Sequence, residues 1–189
     1  MEALFTSTLI VALAEIGDKT QLLAILLATR FKRPLPIVAG ILAATLANHF
    51  LAALLGSQVA SVLDGQWFRI AVALSFIAMA AWTLVPDKID DLEDKPARFG
   101  AFATTLVAFF LVEMGDKTQI ATVALGARFH DVVAVTAGTT LGMMIANVPA
   151  VYLGDKLIAK IPLKWIRIVA ATMFLLLGLW QIWELWSRA

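Results

Sequence analysis

The strongest constraint on this chain is a charged heptapeptide that occurs twice within apolar sequence. The first copy, residues 15–21, reads EIGDKTQ, and the second, residues 113–119, reads EMGDKTQ. Each copy places two carboxylates and a lysine in a stretch that is otherwise apolar enough to cross a bilayer. Because charge is costly at membrane depth, such residues are typical of a functional site.

The composition is that of a membrane protein. The 189 residues are 61% hydrophobic and 15% charged, with a mean hydropathy of +0.86, whereas soluble domains are nearer half apolar and a quarter charged. At about 20 residues per span, the length allows roughly six helices. A net charge of +1 gives no indication of nucleic-acid binding, and the absence of cysteine excludes disulfides and thiolate metal sites.

Apolar stretches separated by polar segments predict six membrane-spanning helices. They cover approximately residues 3–29, 35–55, 67–86, 99–127, 132–158 and 163–186. The basic cluster 30–33, followed by Pro34, is predicted to end the first span. Residues 56–66 are predicted to form a polar connection, and the acidic segment 87–98 a solvated cytoplasmic linker.

The two halves of the chain match beyond the heptapeptide. At the same spacing of 98 residues, the pairs are Arg30-Phe31 with Arg128-Phe129, Ala39-Gly40 with Ala137-Gly138, Trp67 with Trp165, Phe76 with Phe174, and Trp82 with Trp180. We interpret residues 1–86 and 99–189 as two three-helix repeats. An odd number of spans reverses the second repeat. The expected fold class is therefore an all-α integral membrane protein with six transmembrane helices arranged as two inverted three-helix repeats.

The basic residues predict that both termini lie on the outer side. With the N-terminus outside, ten of the 15 lysines and arginines fall in inner loops and three on the outer side, as the positive-inside rule requires. The remaining two are in the heptapeptides. Residues 12–14 resemble a signal-peptide cleavage site, but no basic residue precedes the apolar run, so we expect this segment to be retained.

The spacing within the heptapeptide suggests how its side chains are arranged. On a helix, Glu15 and Asp18 share one face, which Gln21 extends, and Lys19 can pair with Glu15. Gly17 permits close helix approach or local unwinding. The second copy repeats the pattern with Glu113, Gly115, Asp116, Lys117 and Gln119. Inverted symmetry would bring the copies together near the membrane midplane.

The charge of the two copies predicts a site for a divalent cation. Four carboxylates and two lysines leave a net charge of −2, which one divalent ion neutralises. Oxygen ligands suit Ca²⁺, Mn²⁺ or Mg²⁺. Without the ion, the clustered carboxylates should not all stay ionised, so some would take up protons. The predicted metal ligands are Glu15, Asp18, Glu113 and Asp116, with Lys19 and Lys117 tuning the charge.

The alternative is that the heptapeptides form internal ion pairs with a purely structural role. Pairs of Glu15 with Lys19 and of Glu113 with Lys117 would leave two aspartates uncompensated, which is costly in a buried setting.

Neutral side chains are candidates to complete the ligand shell. They are Thr20, Gln21, Asn48, Thr118, Gln119 and Asn147, which would offer oxygen atoms, and His49, which would offer nitrogen. A nitrogen ligand would favour Mn²⁺ over Ca²⁺. For the asparagines the alternative is an interhelical hydrogen bond, and for the histidine, where the alternative is the commoner case, it is a hydrogen bond or a place near an interface.

The doubled pattern Glu-x-Gly-Asp-(Lys/Arg)-(Thr/Ser) resembles the signature of the Gdt-type family of cation transporters. Residues 15–20 and 113–118 match it at every defined position, and the resemblance covers essentially the whole chain. The family includes bacterial manganese exporters and Golgi manganese/calcium transporters. The resemblance implies Mn²⁺ or Ca²⁺ transport in exchange for protons, with the motif acids as ligands. The compact length resembles the bacterial members, which implies Mn²⁺ efflux across the cytoplasmic membrane.

We therefore expect a secondary transporter that exports Mn²⁺ by alternating access, without a prosthetic group. A Ca²⁺/H⁺ antiporter is the first alternative. An exporter of an organic solute such as an amino acid, with the lysines holding its carboxylate, is the second. An intramembrane metalloprotease is disfavoured because the chain has no HExxH motif, and ATP-driven transport because it has no GxxxxGK[ST] loop. The oligomeric state stays open.

Overall fold

A computed structural model describes residues 1–63, 65–85, 100–154 and 162–187, and in these ranges the regular structure is entirely helical. The eight helices found there are α1 (Glu2–Glu15), α2 (Lys19–Phe31), α3 (Pro34–Val62), α4 (Gln66–Thr83), α5 (Ala101–Glu113), α6 (Lys117–Phe129), α7 (Val132–Leu153) and α8 (Leu163–Ser187). The predicted all-α class is confirmed. The predicted linker 87–98 and the end of the fifth span lie outside the described residues.

Among the helices of the described residues, four are long and apolar enough to cross a membrane. They are α3, α4, α7 and α8, which correspond to the second, third, fifth and sixth predicted spans. Helix α5 is apolar but shorter. Four of the six predicted spans therefore coincide with helices that could cross a membrane by length and composition, and the total of six spans stays a prediction.

The first and fourth predicted spans are interrupted at the heptapeptides, which is the local unwinding given as one of two options for Gly17, so the helical spacing assumed within each copy does not hold. Helix α1 ends and α2 begins within the first copy, and α5 and α6 are separated in the same way by the second. Ile16 and Met114 are extended, and Gly17 and Gly115 follow with φ of +82° and +77°. L-residues rarely adopt such positive φ values, so glycine is what permits the break.

Helix α3 continues to Val62, so the prediction of a polar connection at 56–66 is wrong over most of its length. Gly56 lies where α3 crosses α6, and a side chain there would collide with the backbone at Val123. Gly126 of α6 meets the backbone of α3 in the same way. These glycines do not end a helix. They allow α3 and α6 to approach each other closely.

Helices of the first half pack chiefly on helices of the second. Helix α1 packs on α7, α3 packs on α5 and α6, and α4 packs on α8. Gly138 and Gly142 of α7 allow α1 to approach closely, since β-carbons built on them would lie 2.5 and 2.6 Å from carbonyl oxygens of α1. Phe76 and Phe174, which occupy matching positions, stack with ring centroids 6.5 Å apart. This interleaving brings the two heptapeptides together.

Candidate metal site

The aspartates of the heptapeptides cap the helices that follow the two breaks. Asp18 Oδ1 accepts a hydrogen bond from the backbone N–H of Lys19 at 2.7 Å, and Asp116 Oδ2 accepts one from the backbone N–H of Thr118 at 3.5 Å. A carboxylate is favoured at this end of a helix, where N–H groups are unpaired and the helix dipole is positive. Each break therefore fixes one aspartate at a helix N-terminus inside the protein.

The glutamines of the heptapeptides hold the broken backbone in place. Gln21 Oε1 accepts from the N–H of Gly17 at 2.9 Å, and Gln119 Oε1 accepts from the N–H of Gly115 at 2.7 Å. The amide group of Gln21 then donates to a carbonyl of α7, and that of Gln119 donates to the side chain of Asn48 in α3. These glutamines thus connect each break to a helix of the opposite half.

Three carboxylates from the two copies converge in the interior. Glu15, Asp18 and Asp116 are all buried, and each offers one oxygen within 4.8 Å of the others. A small inward movement would bring these oxygens onto one cation, since ligands about 2.1 Å from an ion lie roughly 3 to 4 Å apart. The arrangement is suited to binding a hard divalent ion.

Each motif lysine forms an ion pair with the aspartate of the opposite copy. Lys19 Nζ is 2.9 Å from Asp116 Oδ1, and Lys117 Nζ is 3.2 Å from Asp18 Oδ2. This differs from the predicted pairing of Lys19 with Glu15, because the break removes the helical spacing on which that pairing depended. The lysine side chains are not equivalent: that of Lys19 is 30% exposed and that of Lys117 is 5% exposed.

Glu15 accepts hydroxyl hydrogen bonds from both copies of the motif. Thr20 Oγ1 donates to Glu15 Oε2 at 2.5 Å, and Thr118 Oγ1 donates to Glu15 Oε1. Both threonines are buried. The two copies therefore meet at Glu15 as well as at the crossed ion pairs.

Glu113 lies in a different environment, against the middle of α3. Thr45 Oγ1 donates to Glu113 Oε1 at 3.1 Å, and Asn48 Nδ2 approaches Oε2 at 3.5 Å. His49 Nε2 is 3.8 Å from the same Oε2. Sequence reasoning missed Thr45, although it precedes Asn48 and His49 by three and four residues and so shares their helix face.

Asn147 occupies the position in α7 that matches His49 in α3. It is fully buried, and its Nδ2 donates to the carbonyl oxygen of Met143 at 3.1 Å. Its neighbour Ala146 supplies the carbonyl that accepts from Gln21. The structure therefore places all the predicted site residues in or directly beside one buried polar region.

The fold and this region define a multi-pass membrane protein with charged side chains in its interior. A family model described as "Divalent cation/proton antiporter GDT1" matches the chain twice, over residues 3–91 and 101–189. The chain belongs to this GDT1 family; it is a cation transporter and not an enzyme.

Relatives in bacteria and plants match nearly the whole chain. A Vibrio cholerae protein named "Putative manganese exporter" is 52% identical over 180 residues, covering 95% of this chain and 90% of that protein. A GDT1-like protein of Synechocystis is 28% identical, over 97% of this chain and 98% of that protein. A GDT1-like protein of rice is 27% identical, covering 92% of this chain and 71% of its own. No solved structure matches the chain.

Proposed function

We propose that this protein exports Mn²⁺ from the cytoplasm across the bacterial cytoplasmic membrane in exchange for protons. The observation that carries the proposal is the convergence of Glu15, Asp18 and Asp116, buried and drawn from both halves of the chain. Buried carboxylates from two sequence repeats are what a transporter needs if one site is to be reached alternately from two sides.

The four motif carboxylates bind the metal in this proposal. Glu15, Asp18 and Asp116 form the cluster, and Glu113 supplies the fourth charge from its place against α3. The threonines and asparagines add neutral oxygens. The oxygens of Gln21 and Gln119 already accept hydrogen bonds from the glycine N–H groups, so we assign these residues chiefly to holding the two breaks.

Proton exchange follows from the charge of the site. The four carboxylates and two lysines sum to −2, so a divalent ion or two protons brings the site to neutrality. Moving an uncompensated charge through the membrane is costly, which favours return of the empty carrier in a protonated form. Metal and protons then compete for the same oxygens, and acidification weakens metal binding.

The proposed architecture is six spans in two inverted repeats, residues 1–86 and 99–189, with both termini outside. The pairs α1–α2 and α5–α6 each cross the membrane as one interrupted span. Support comes from the two matches of the family model, from the equal geometry of the two breaks, and from the stacking of the matching residues Phe76 and Phe174. Interrupted helices near the midplane are the usual setting of transporter ion sites.

Manganese is proposed as the cargo because the bacterial relative that is 52% identical carries that name. Ca²⁺ is the alternative, since carboxylate and hydroxyl oxygens also suit it. Export of an amino acid is less well supported, because the lysines that would hold its carboxylate lie against Asp116 and Asp18.

The proposal is tested with the full chain reconstituted in liposomes that contain a metal-sensitive dye and a pH-sensitive dye. We expect Mn²⁺ uptake that accelerates with an outward proton gradient and is accompanied by proton release from the vesicles. Ca²⁺ and Mg²⁺ are compared under the same gradients. Metal flux without any internal pH change would contradict proton exchange, and uptake of Ca²⁺ alone would contradict the choice of cargo.

A further inference from the structure

His49 is a fully buried histidine whose ring nitrogens, Nδ1 and Nε2, both lack a hydrogen-bond partner among the described residues. A buried polar atom without a partner loses its hydration and gains nothing in return. Such atoms are uncommon in folded proteins, and an ion that binds in the functional state is one established reason for them. The second histidine of the chain, His130, is exposed at the end of α6.

The position of the ring suits a shared ligand role with Glu113. Nε2 of His49 is 3.8 Å from Glu113 Oε2. Two ligands of one ion, each about 2.1 Å from it, lie between roughly 3 and 4.2 Å apart. The two atoms therefore fit around a single cation with little movement of either side chain.

The hydrogen-bond pattern connects this position to the carboxylate cluster. Asn48, which precedes His49, approaches Glu113 and accepts from Gln119. Gln119 belongs to the second motif copy. In that copy Lys117 forms an ion pair with Asp18, and Thr118 donates a hydrogen bond to Glu15. His49 is thus next to the buried region where both motif copies meet.

The matching position in the other half offers an unengaged oxygen. Asn147 Oδ1 is buried and has no hydrogen-bond partner in the described part of the chain, whereas its Nδ2 is satisfied by Met143. The two halves therefore differ at one pair of equivalent positions: the first presents imidazole nitrogen, and the second presents amide oxygen. A site built only for Ca²⁺ or Mg²⁺ would use oxygen in both places.

We propose that His49 is a nitrogen ligand to the transported ion and the residue that sets the preference for Mn²⁺ over Ca²⁺ and Mg²⁺. Imidazole binds first-row transition metals and is a poor ligand for the harder ions. The inference rests on the proposed function and deepens it, because it assigns the selectivity of that site to one side chain.

The test uses electron spin-echo envelope modulation on Mn²⁺ bound to the detergent-solubilised full chain, prepared without a histidine tag. Directly bound imidazole gives a ¹⁴N modulation, and because the chain has only two histidines, its source can be assigned. We expect the modulation in the unmodified protein and in the matched control His130→Asn, and its loss in His49→Asn. Selective ¹⁵N labelling of histidine in the unmodified chain must replace the ¹⁴N pattern, which tests the inference without any variant.

Binding measurements give the second readout. His49→Asn, which copies the residue at the matching position, should weaken Mn²⁺ binding at least about tenfold and leave Ca²⁺ binding nearly unchanged. Bound Mn²⁺ without nitrogen modulation in the unmodified chain, or equal losses for both ions in His49→Asn, would overturn the role of His49 while leaving manganese transport standing. Failure of the unmodified protein to bind Mn²⁺ at all would overturn the proposed function itself.

Discussion

Lys19 Nζ lies 2.9 Å from Asp116 Oδ1, in an ion pair that joins the first motif copy to the second, and Lys117 lies on Asp18 in the reciprocal pair. Because each lysine pairs with the other copy, the two breaks are held together by charge as well as by packing. The pairs are unequal, since Lys19 is partly exposed and Lys117 is almost fully buried.

Removing the buried Lys117 should therefore destabilise the protein more than removing the partly exposed Lys19. Lys117→Met removes the ammonium group from a buried ion pair, which costs about 3 to 5 kcal/mol, whereas the Lys19 side chain is 30% exposed, so solvent already weakens its pair and Lys19→Met should cost less. The measurement is the thermal unfolding midpoint in detergent. The double variant Lys117→Met, Asp18→Asn should regain part of the loss, because it removes both charges. A larger loss for Lys19→Met would contradict the difference in burial.

The two motif glycines should respond unequally to the same substitution. Gly17→Ala and Gly115→Ala each force an L-residue into positive φ, at about 1 to 2 kcal/mol. A β-carbon on Gly17 would also lie 2.5 Å from Leu163 Cδ2, whereas no atom of the described residues lies within 4 Å of one on Gly115. We expect Gly17→Ala to lower the unfolding midpoint more than Gly115→Ala does. Adding Leu163→Ala to Gly17→Ala should remove this extra loss. Equal effects, or no rescue, would argue against this contact.

Thr45 should matter through its hydroxyl group. Its Oγ1 donates to Glu113 at 3.1 Å within the interior, so Thr45→Val keeps the shape and loses the hydrogen bond, at about 1 kcal/mol or more. We expect weaker Mn²⁺ binding in Thr45→Val and nearly normal binding in Thr45→Ser, measured by titration of the purified protein. If both variants bind as the unmodified chain does, Thr45 does not position Glu113.

The topology can be tested directly because the chain has no cysteine. A single cysteine at Ser187 should react with a membrane-impermeant maleimide added to intact spheroplasts, and one at Arg33 should react only after the membrane is opened. Both residues are exposed in the structure. The reverse pattern would show that the termini face the cytoplasm.

The sequence predicted the helices and the location of the buried charges, but not the backbone at the site. Hydropathy and the 98-residue repeat locate Glu15 and Glu113 well, because apolar composition and duplication are visible along the chain. The breaks were predicted only as one of two options, since Gly17 is compatible with either a close helix approach or a local unwinding. The crossed pairs of Lys19 and Lys117 depend on how the halves pack, and no local spacing contains that information.

At Gly56 the sequence suggested an interruption where the structure has a continuous helix. Its neighbours are polar enough to suggest a connection, yet a close crossing with α6 uses the glycine inside a continuous helix. Whether glycine ends a helix or lets another helix approach is decided by tertiary contacts, which the sequence does not display.

Mn²⁺ flux into proteoliposomes, measured for carboxylate-to-amide variants, shows whether the acids of both motif copies form one transport site. We compare Glu15→Gln and Glu113→Gln, singly and together, with Glu2→Gln, a matched change at an exposed glutamate of α1. We expect each motif variant to lose most of the flux, the double variant to lose it all, and Glu2→Gln to transport normally. Substantial Mn²⁺ uptake by the folded Glu15→Gln, Glu113→Gln double variant would show that these acids do not form the transport site.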